Sequence, residues 1–102
     1  MDEHEIQKYA VMALRKIGFT CCVTSNRKKT SNTRGTPDVF VNISNYHWTA
    51  LEFKQPDGKV SKTQKQLVDN KLSYIVTSAE EAVLIAISLK RRAYEDNLRV
   101  KR

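Results

Sequence analysis

Hydrophobic residues recur at intervals of three and four positions near the start of the chain, which is the spacing of one face of an α-helix. The charged residues of the same segment fall mostly outside this face. The pattern therefore predicts an amphipathic helix over residues 3–17, and Gly18 is a suitable residue to end it. The predicted apolar face consists of Ile6, Tyr9, Ala10, Ala13, Leu14 and Ile17.

Three short segments that follow have the composition of β-strands. Residues 19–24 are apolar and partly β-branched, residues 38–43 alternate in side-chain character, and residues 48–54 follow a turn-like segment at 44–47. Because only this turn separates the second strand from the third, we expect the two to form an antiparallel hairpin.

The second half of the chain predicts a helix, a strand and a helix. Ser61 is a suitable N-cap for a helix that continues to about residue 72, and residues 73–77 predict a strand. Residues 78–81 (Ser-Ala-Glu-Glu) match a capping box that opens a long final helix. The last strand follows a helical crossover and can pair in parallel. The predicted order, αβββαβα, indicates an α/β (α+β) fold class with a mixed central sheet flanked by helices.

Size and composition limit the class of protein. The chain has 102 residues, of which 40% are hydrophobic, so we expect a single domain over residues 1–102. Its longest apolar run, residues 82–87, is far shorter than the ~20 residues of a membrane-spanning helix, and its first residues are acidic where a signal peptide is basic. These features predict a soluble, intracellular, cytoplasmic protein. The adjacent Cys21 and Cys22 are expected to be reduced thiols, with at least one packed in the core.

Positive charge is concentrated in one polar segment. The formal net charge is +7, and residues 25–35 contain four basic residues and no acidic one, whereas residues 36–60 carry a net charge of −1. Such a segment is either a solvated loop or a site where basic side chains contact the phosphates of a nucleic acid. Its basic residues are Arg27, Lys28, Lys29 and Arg34.

Two carboxylates occupy strand positions that usually carry apolar residues. The predicted hairpin has arms of equal length, so Asp38 and Glu52 should lie opposite each other. Lys54 lies two residues after Glu52 and therefore on the same face of the strand. Paired carboxylates suit Mg²⁺ or Mn²⁺, and an adjacent lysine can orient a water and stabilise charge on a phosphodiester. The alternative is an ion pair of Glu52 with Lys54 on a solvated face, with Asp38 capping a turn after Pro37.

The order of these motifs resembles a known group of nucleases. Gly35-Thr-Pro-Asp38 precedes Leu51-Glu-Phe-Lys54, and Gly58-Lys-Val-Ser61-Lys-Thr-Gln64 follows. With a glutamate in the first helix and a basic loop after the first strand, this arrangement resembles the PD-(D/E)XK nuclease superfamily. Within that superfamily it is most similar to the virus-type replication-repair nuclease (VRR-NUC) domain, a relative of Holliday-junction resolvases. The resemblance covers most of the chain and implies a restriction-endonuclease-like core.

The resemblance also implies a role for individual residues. The side chains of Asp38 and Glu52 would bind Mg²⁺ or Mn²⁺, and the backbone carbonyl of Phe53 would be a further ligand. Lys54 would act on the attacking water and on the developing negative charge. Gln64, in the following helix, would support the lysine and the scissile phosphate.

A glutamate of the first helix would complete the metal site. The family pattern E-x-x-I fits Glu3 with Ile6, and on a helical wheel Glu3 lies closer to the apolar face than Glu5 does. Glu5 is the second candidate. Either residue could instead be an ordinary acidic residue of a helix N-terminus, where the macrodipole favours negative charge.

The function implied by the resemblance is metal-dependent endonucleolytic cleavage of branched DNA such as Holliday junctions, with the basic loop on the phosphates. The alternatives are a flap- or end-acting nuclease, a nickase, and a non-catalytic DNA-binding module. This chain resembles stand-alone members of the family, which implies a symmetric dimer. Residues 82–87 are also apolar on every side of the predicted final helix. We therefore expect a homodimer that buries part of residues 75–90. Short stand-alone chains of this type also suggest a phage protein that acts in the host cytoplasm.

Overall fold

The computed structural model describes residues 2–24, 37–57, 62–69 and 73–100. The elements follow the predicted order, and most boundaries differ from the prediction by one or two residues. They are α1 (Glu3–Lys16), β1 (Cys21–Val23), β2 (Val39–Ser44), β3 (His47–Phe53), α2 (Lys62–Asp69), β4 (Tyr74–Val76) and α3 (Ala79–Val100). The mixed α/β fold class is confirmed.

The four strands form one mixed sheet in the order β1-β2-β3-β4. β1 and β2 are antiparallel, β2 and β3 are antiparallel, and β3 and β4 are parallel. In the hairpin Val39 pairs with Leu51 and Asn42 pairs with Trp48, which confirms the predicted register. Asn45, in the turn, has a φ of 36°, a left-handed conformation that asparagine tolerates better than most residues.

The hydrophobic core lies between the sheet and the paired helices α1 and α3. In β2 the buried residues Val39, Val41 and Ile43 alternate with partly buried ones, because successive side chains of a strand point to opposite faces. β3 lies between β2 and β4, and its last five residues are all buried. The end of β3, which carries Glu52, is therefore surrounded by protein on both faces of the sheet.

Both ends of α1 carry residues that are suited to helix termini. The Asp2 side chain accepts a hydrogen bond of 2.8 Å from the backbone N–H of Glu5 and so caps the helix. Gly18 has a φ of 107°, a conformation that non-glycine residues rarely adopt. The Asp2 cap fixes the start of α1, where Glu3 lies.

α3 begins with a variant of the predicted capping box. Ser78 Oγ accepts a hydrogen bond of 3.1 Å from the Glu81 backbone N–H, as predicted. The Glu81 carboxylate accepts from the backbone N–H of Thr77, at 3.0 Å, rather than from Ser78. The hydrogen bond therefore reaches one residue further back and ties the end of β4 to α3.

The two cysteines lie in β1 and are free thiols. Cys21 is partly buried and packs against the core, whereas Cys22 is exposed. This agrees with the expectation that one of them contributes to packing. Among the helices in the described part of the chain, none has the length and apolar character required to cross a membrane.

Candidate active site

Thr24 positions the backbone of Asp38. Its N–H donates a hydrogen bond of 2.9 Å to the Asp38 carbonyl, and its hydroxyl is hydrogen-bonded to the Pro37 carbonyl and lies 3.0 Å from the Asp38 carbonyl. Because Thr24 follows β1 directly, these contacts extend the pairing of β1 with β2 to the residue before β2. The backbone of Asp38 is therefore held by the neighbouring strand.

The Asp38 side chain crosses to the end of β3. Its Oδ2 atom accepts a hydrogen bond of 2.9 Å from the backbone N–H of Phe53. The register that pairs Val39 with Leu51 also places Asp38 opposite Glu52. The two carboxylates predicted to lie opposite each other thus meet at one end of the hairpin.

Glu52 is buried, with only 6% of its surface exposed. Its Oε1 atom accepts a hydrogen bond from the Gln64 side-chain amide and lies 3.8 Å from the Lys54 ammonium nitrogen. The Oε2 atom is also buried, and it is the one side-chain oxygen or nitrogen in the described residues that is buried without a hydrogen-bond partner. A buried carboxylate oxygen that lacks a partner is energetically unfavourable.

Burial makes both carboxylic acids weaker than usual, and repulsion by Asp38 weakens Glu52 further. Burial, together with the negative charge of Asp38, raises the pKa of Glu52 from 4.5 to about 7, although Lys54 acts in the opposite direction. Burial also raises the pKa of Asp38, against the lowering effects of the Phe53 hydrogen bond and the Lys54 charge. Two weakened acids beside a lysine are more typical of a functional site than of a structural ion pair.

The alternative of an ion pair on a solvated face is wrong. Glu52 and Lys54 do lie within ion-pair distance, but their side chains are only 8% and 16% exposed. Asp38 does not cap a local turn with its side chain; it binds the N–H of Phe53 on the neighbouring strand. The cluster is therefore a largely desolvated group of two acids and one base.

The donor set fits a hard divalent cation. Mg²⁺ and Mn²⁺ prefer oxygen ligands and retain waters, so two carboxylates and a carbonyl are sufficient protein ligands. The buried, unpartnered Oε2 of Glu52 has the chemistry of such a ligand. Within the described ranges, no group of three or more His, Cys, Asp or Glu side chains is arranged to hold a metal ion. Any metal site built on Asp38 and Glu52 would therefore use backbone and water oxygens as well.

Glu3 lies at the exposed start of α1 and acts electrostatically on both acids. Its charge contributes to the raised pKa of Asp38 and of Glu52, so Glu3 faces the same end of the sheet. Glu5 is also exposed, and its backbone N–H donates to the N-cap residue Asp2. The choice of Glu3 as first-helix ligand, with Glu5 second, stays a prediction.

Gln64 joins the cluster from α2. The predicted helix begins close to the expected position, and its Gln64 side chain donates from Nε2 to Glu52 Oε1. This contact reaches the carboxylate rather than the lysine, so Gln64 fixes the orientation of Glu52. A role of Gln64 toward a scissile phosphate stays a prediction.

The basic segment lies outside the described residues, and so do its predicted phosphate contacts Arg27, Lys28, Lys29 and Arg34. The residues at either end of the segment are described. Thr24 is hydrogen-bonded to Pro37 and to Asp38. The described residues that flank the segment, Thr24 and Pro37, therefore lie next to each other and to the backbone of Asp38.

Sequence reasoning missed the role of Thr24 in holding Asp38. A threonine at the end of a predicted strand is common, and nothing in its neighbours indicates that it reaches a residue 14 positions further along the chain. Only the antiparallel pairing of β1 with β2 brings the two together.

Comparisons of this chain with family models, with characterised proteins and with solved structures return no match. The site must therefore be interpreted from its own chemistry and from the motif resemblance.

Proposed function

We propose that this protein is a metal-dependent deoxyribonuclease of the PD-(D/E)XK type, similar to the VRR-NUC domain. One observation carries the proposal: Glu52 Oε2 is buried without a hydrogen-bond partner in the described structure, next to a second carboxylate and a lysine. A purely structural ion pair gains nothing from an unpartnered oxygen. In a metal site, by contrast, the same oxygen would be available to bind the cation.

The side chains of Asp38 and Glu52 and the backbone carbonyl of Phe53 would hold Mg²⁺ or Mn²⁺. When bound, the cation supplies Lewis-acid activation of the phosphodiester and lowers the pKa of a coordinated water. It also compensates the two negative charges, which would otherwise repel a phosphate. The motif order that resembles the family supports the same ligand set.

The neighbouring residues orient these ligands. The Phe53 N–H holds Oδ2 of Asp38, and the Gln64 amide holds Oε1 of Glu52, which leaves Oε2 as the free ligand atom. The Lys54 ammonium, 3.8 Å from Oε1, can orient an attacking water and stabilise the negative charge that develops on the phosphate. This distribution of roles agrees with the chemistry of phosphodiester hydrolysis.

The substrate we propose is branched DNA, with four-way junctions first. Thr24, which precedes the basic segment in the sequence, is hydrogen-bonded to the backbone of Asp38. We expect the basic residues of positions 25–35 to neutralise phosphates near the cleaved bond. The sequence contains no zinc-finger spacing and no recognition-helix motif, so DNA shape rather than base sequence would select the substrate. Flap or end cleavage and nicking are the alternative activities.

The test is cleavage of labelled four-way junction, flap and linear duplex with Mg²⁺, with Mn²⁺ and with EDTA. We expect cleavage of the junction in either metal and none in EDTA. Asp38→Ala, Glu52→Ala and Lys54→Ala should each reduce the rate by at least 100-fold, on the scale of losing an oriented ligand or charge at a reacting centre. Comparison of Glu3→Gln with Glu5→Gln identifies the first-helix ligand.

A matched control is Asp57→Asn, which removes an exposed carboxylate from the loop after β3. This variant should cut at the wild-type rate. If the wild-type protein binds the junction in EDTA but cuts no substrate in either metal, the chain is a non-catalytic DNA-binding module and the nuclease proposal is wrong. Normal cleavage by all three alanine variants would contradict the assigned site.

A further inference from the structure

A groove lies near the end of α1 that is distant from the carboxylates. It has a volume of about 500 Å³ and forms where the C-terminal end of α1 meets the middle of α3. Because α1 contains 14 residues, the groove lies about 20 Å along the helix from Glu3. Its lining residues are Ile17, Phe19, Ile87, Lys90, Arg91 and Tyr94.

This groove combines basic and aromatic side chains with exposed apolar ones. Ile17, Ile87 and Tyr94 are 53%, 47% and 64% exposed, respectively. The ammonium of Lys90 lies 5.2 Å from the centre of the Phe19 ring, and this cation–π contact places the charge on the wall of the groove. The groove is thus cationic and has an accessible aromatic ring.

Arg91 is the second cation of the groove. Its side chain is 81% exposed and lies 3.4 Å from Glu95, one helical turn further along α3. Exposed ion pairs of this kind contribute little to stability. Arg91 could therefore exchange its contact with the Glu95 carboxylate for one with a phosphate at little cost in free energy.

We propose that this groove binds a single strand of nucleic acid, with its phosphates on Lys90 and Arg91 and an unpaired base stacked on Tyr94. Proteins bind single strands with this combination of a cationic groove and an accessible aromatic ring. Charge complementarity favours this occupant over a second copy of the chain, because a two-fold contact through this groove would place Lys90 and Arg91 opposite the same cations of the other copy.

This inference deepens the proposed nuclease function, on which it rests for the identity of the ligand. The separation of about 20 Å corresponds to about six base steps of duplex DNA. A branched substrate could therefore occupy the carboxylate site with a paired arm and the groove with an unpaired strand. The groove would then contribute to the choice of branched over linear DNA.

The test is equilibrium binding of a fluorescent single-stranded oligonucleotide and of a blunt duplex, in EDTA and at several salt concentrations. Tyr94→Ala should weaken single-strand binding by about fivefold to 100-fold and leave duplex binding almost unchanged, whereas Tyr94→Trp should restore it. Lys90→Ala and Arg91→Ala should each reduce the slope of log affinity against log salt by about 0.7. Circular dichroism verifies the fold of each variant.

Lys8→Ala is the matched control, because Lys8 is an exposed base of α1 that lines a different cleft; its salt slope should stay at the wild-type value. The proposal is overturned if the wild-type protein does not bind the single strand, or if Tyr94→Ala and Lys90→Ala bind it normally. It is equally overturned if Tyr94→Ala halves the sedimentation mass without affecting DNA binding, since the groove would then be an interface between copies. This experiment measures binding and not cleavage. A failure of the nuclease proposal would therefore be seen in the cleavage assay, and the two failures can be distinguished.

Discussion

Glu52 is buried beside Asp38, and its pKa of about 7 places its titration near neutral pH when no cation is bound. An acid whose pKa is higher in the folded protein than in the unfolded chain binds more protons when folded. The contribution of Glu52 to the free energy of unfolding is therefore fully present below pH 4.5 and is lost as the pH rises through about 7. The ionised form that a metal requires is thus also the form that destabilises the metal-free fold.

We expect Glu52→Gln to stabilise the metal-free protein above pH 7. The amide keeps the shape of the side chain and stays uncharged, so it avoids a cost of about 2–3 kcal/mol that the ionised glutamate imposes. The difference in the free energy of unfolding between Glu52→Gln and wild type should grow by this amount between pH 4.5 and pH 8. Chemical denaturation in EDTA at several pH values measures it.

The control for this pH dependence is Glu5→Gln, which removes an exposed acid from α1. Its difference from wild type should change by less than about 0.5 kcal/mol over the same range, as is usual for exposed positions. A flat pH dependence for Glu52→Gln would show that Glu52 ionises normally in the folded protein. The interpretation of its unpartnered oxygen would then lose its energetic basis.

At the scale of elements, the hairpin of β2 and β3 was predictable because its turn is short and the side chains of β2 alternate in character. Equal arms around residues 44–47 fix the register, which places Asp38 opposite Glu52. β1 and β4 are shorter than predicted, with three residues each. The residues that directly flank these strands are Thr20, Thr24, Ser73 and Thr77, and threonine and serine occur in strands and in loops alike. Composition alone therefore overestimates the length of the two strands.

The burial of Glu52 could not be predicted from the sequence in the same way. Its degree of desolvation depends on β4 pairing beside it, at Ile75, and on Gln64 approaching from α2. Both are tertiary contacts between residues far apart in the chain. The sequence identifies the acid and its lysine, whereas the burial of Glu52 follows only from the packing of two further elements, β4 and α2.

Ser78 provides a test of how α3 is anchored to the sheet. Ser78→Ala removes the acceptor for the Glu81 N–H and should reduce the free energy of unfolding by about 1 kcal/mol. Asn97→Ala, at an exposed position near the end of α3, should be neutral or slightly stabilising because alanine has the higher helix propensity. Denaturant unfolding compares the two, and equal effects would contradict the capping role of Ser78.

At the scale of the whole molecule, α3 presents two different surfaces on either side of its buried face. The buried Ala82 and Ala86 face the core. Positions 87, 90, 91 and 94 line the cationic groove toward α1. On the other side Tyr74 of β4 and Leu84 of α3, with 36% and 65% exposure, line a more apolar groove. Two of the basic side chains of α3, Lys90 and Arg91, thus lie on the side toward α1.

The apolar groove is the surface we expect a homodimer to bury. A two-fold interface places the same patch of each copy against the other, and interface cores favour aromatic and aliphatic residues over charged ones. The groove also contains Ile85, Ser88, Leu89 and Arg92. It overlaps residues 75–90, the segment predicted to be buried, and it excludes the cationic groove, so one molecule could dimerise and bind a strand at the same time.

Leu84→Glu should convert this dimer into a monomer. Burying one glutamate per copy against its symmetry mate places two like charges in an apolar contact, which costs several kcal/mol. Sedimentation at micromolar concentration should give the mass of two chains for wild type and of one chain for Leu84→Glu.

Ile87→Glu, which introduces the same charge on the neighbouring groove, should keep the mass of two chains. A wild-type mass of one chain would contradict the dimer, and dissociation by Ile87→Glu alone would place the interface on the cationic groove. Under the proposed nuclease function, a monomer with its one described pair, Asp38 and Glu52, could cut only one strand of a junction per binding event, whereas a dimer would present two such sites related by a symmetry axis.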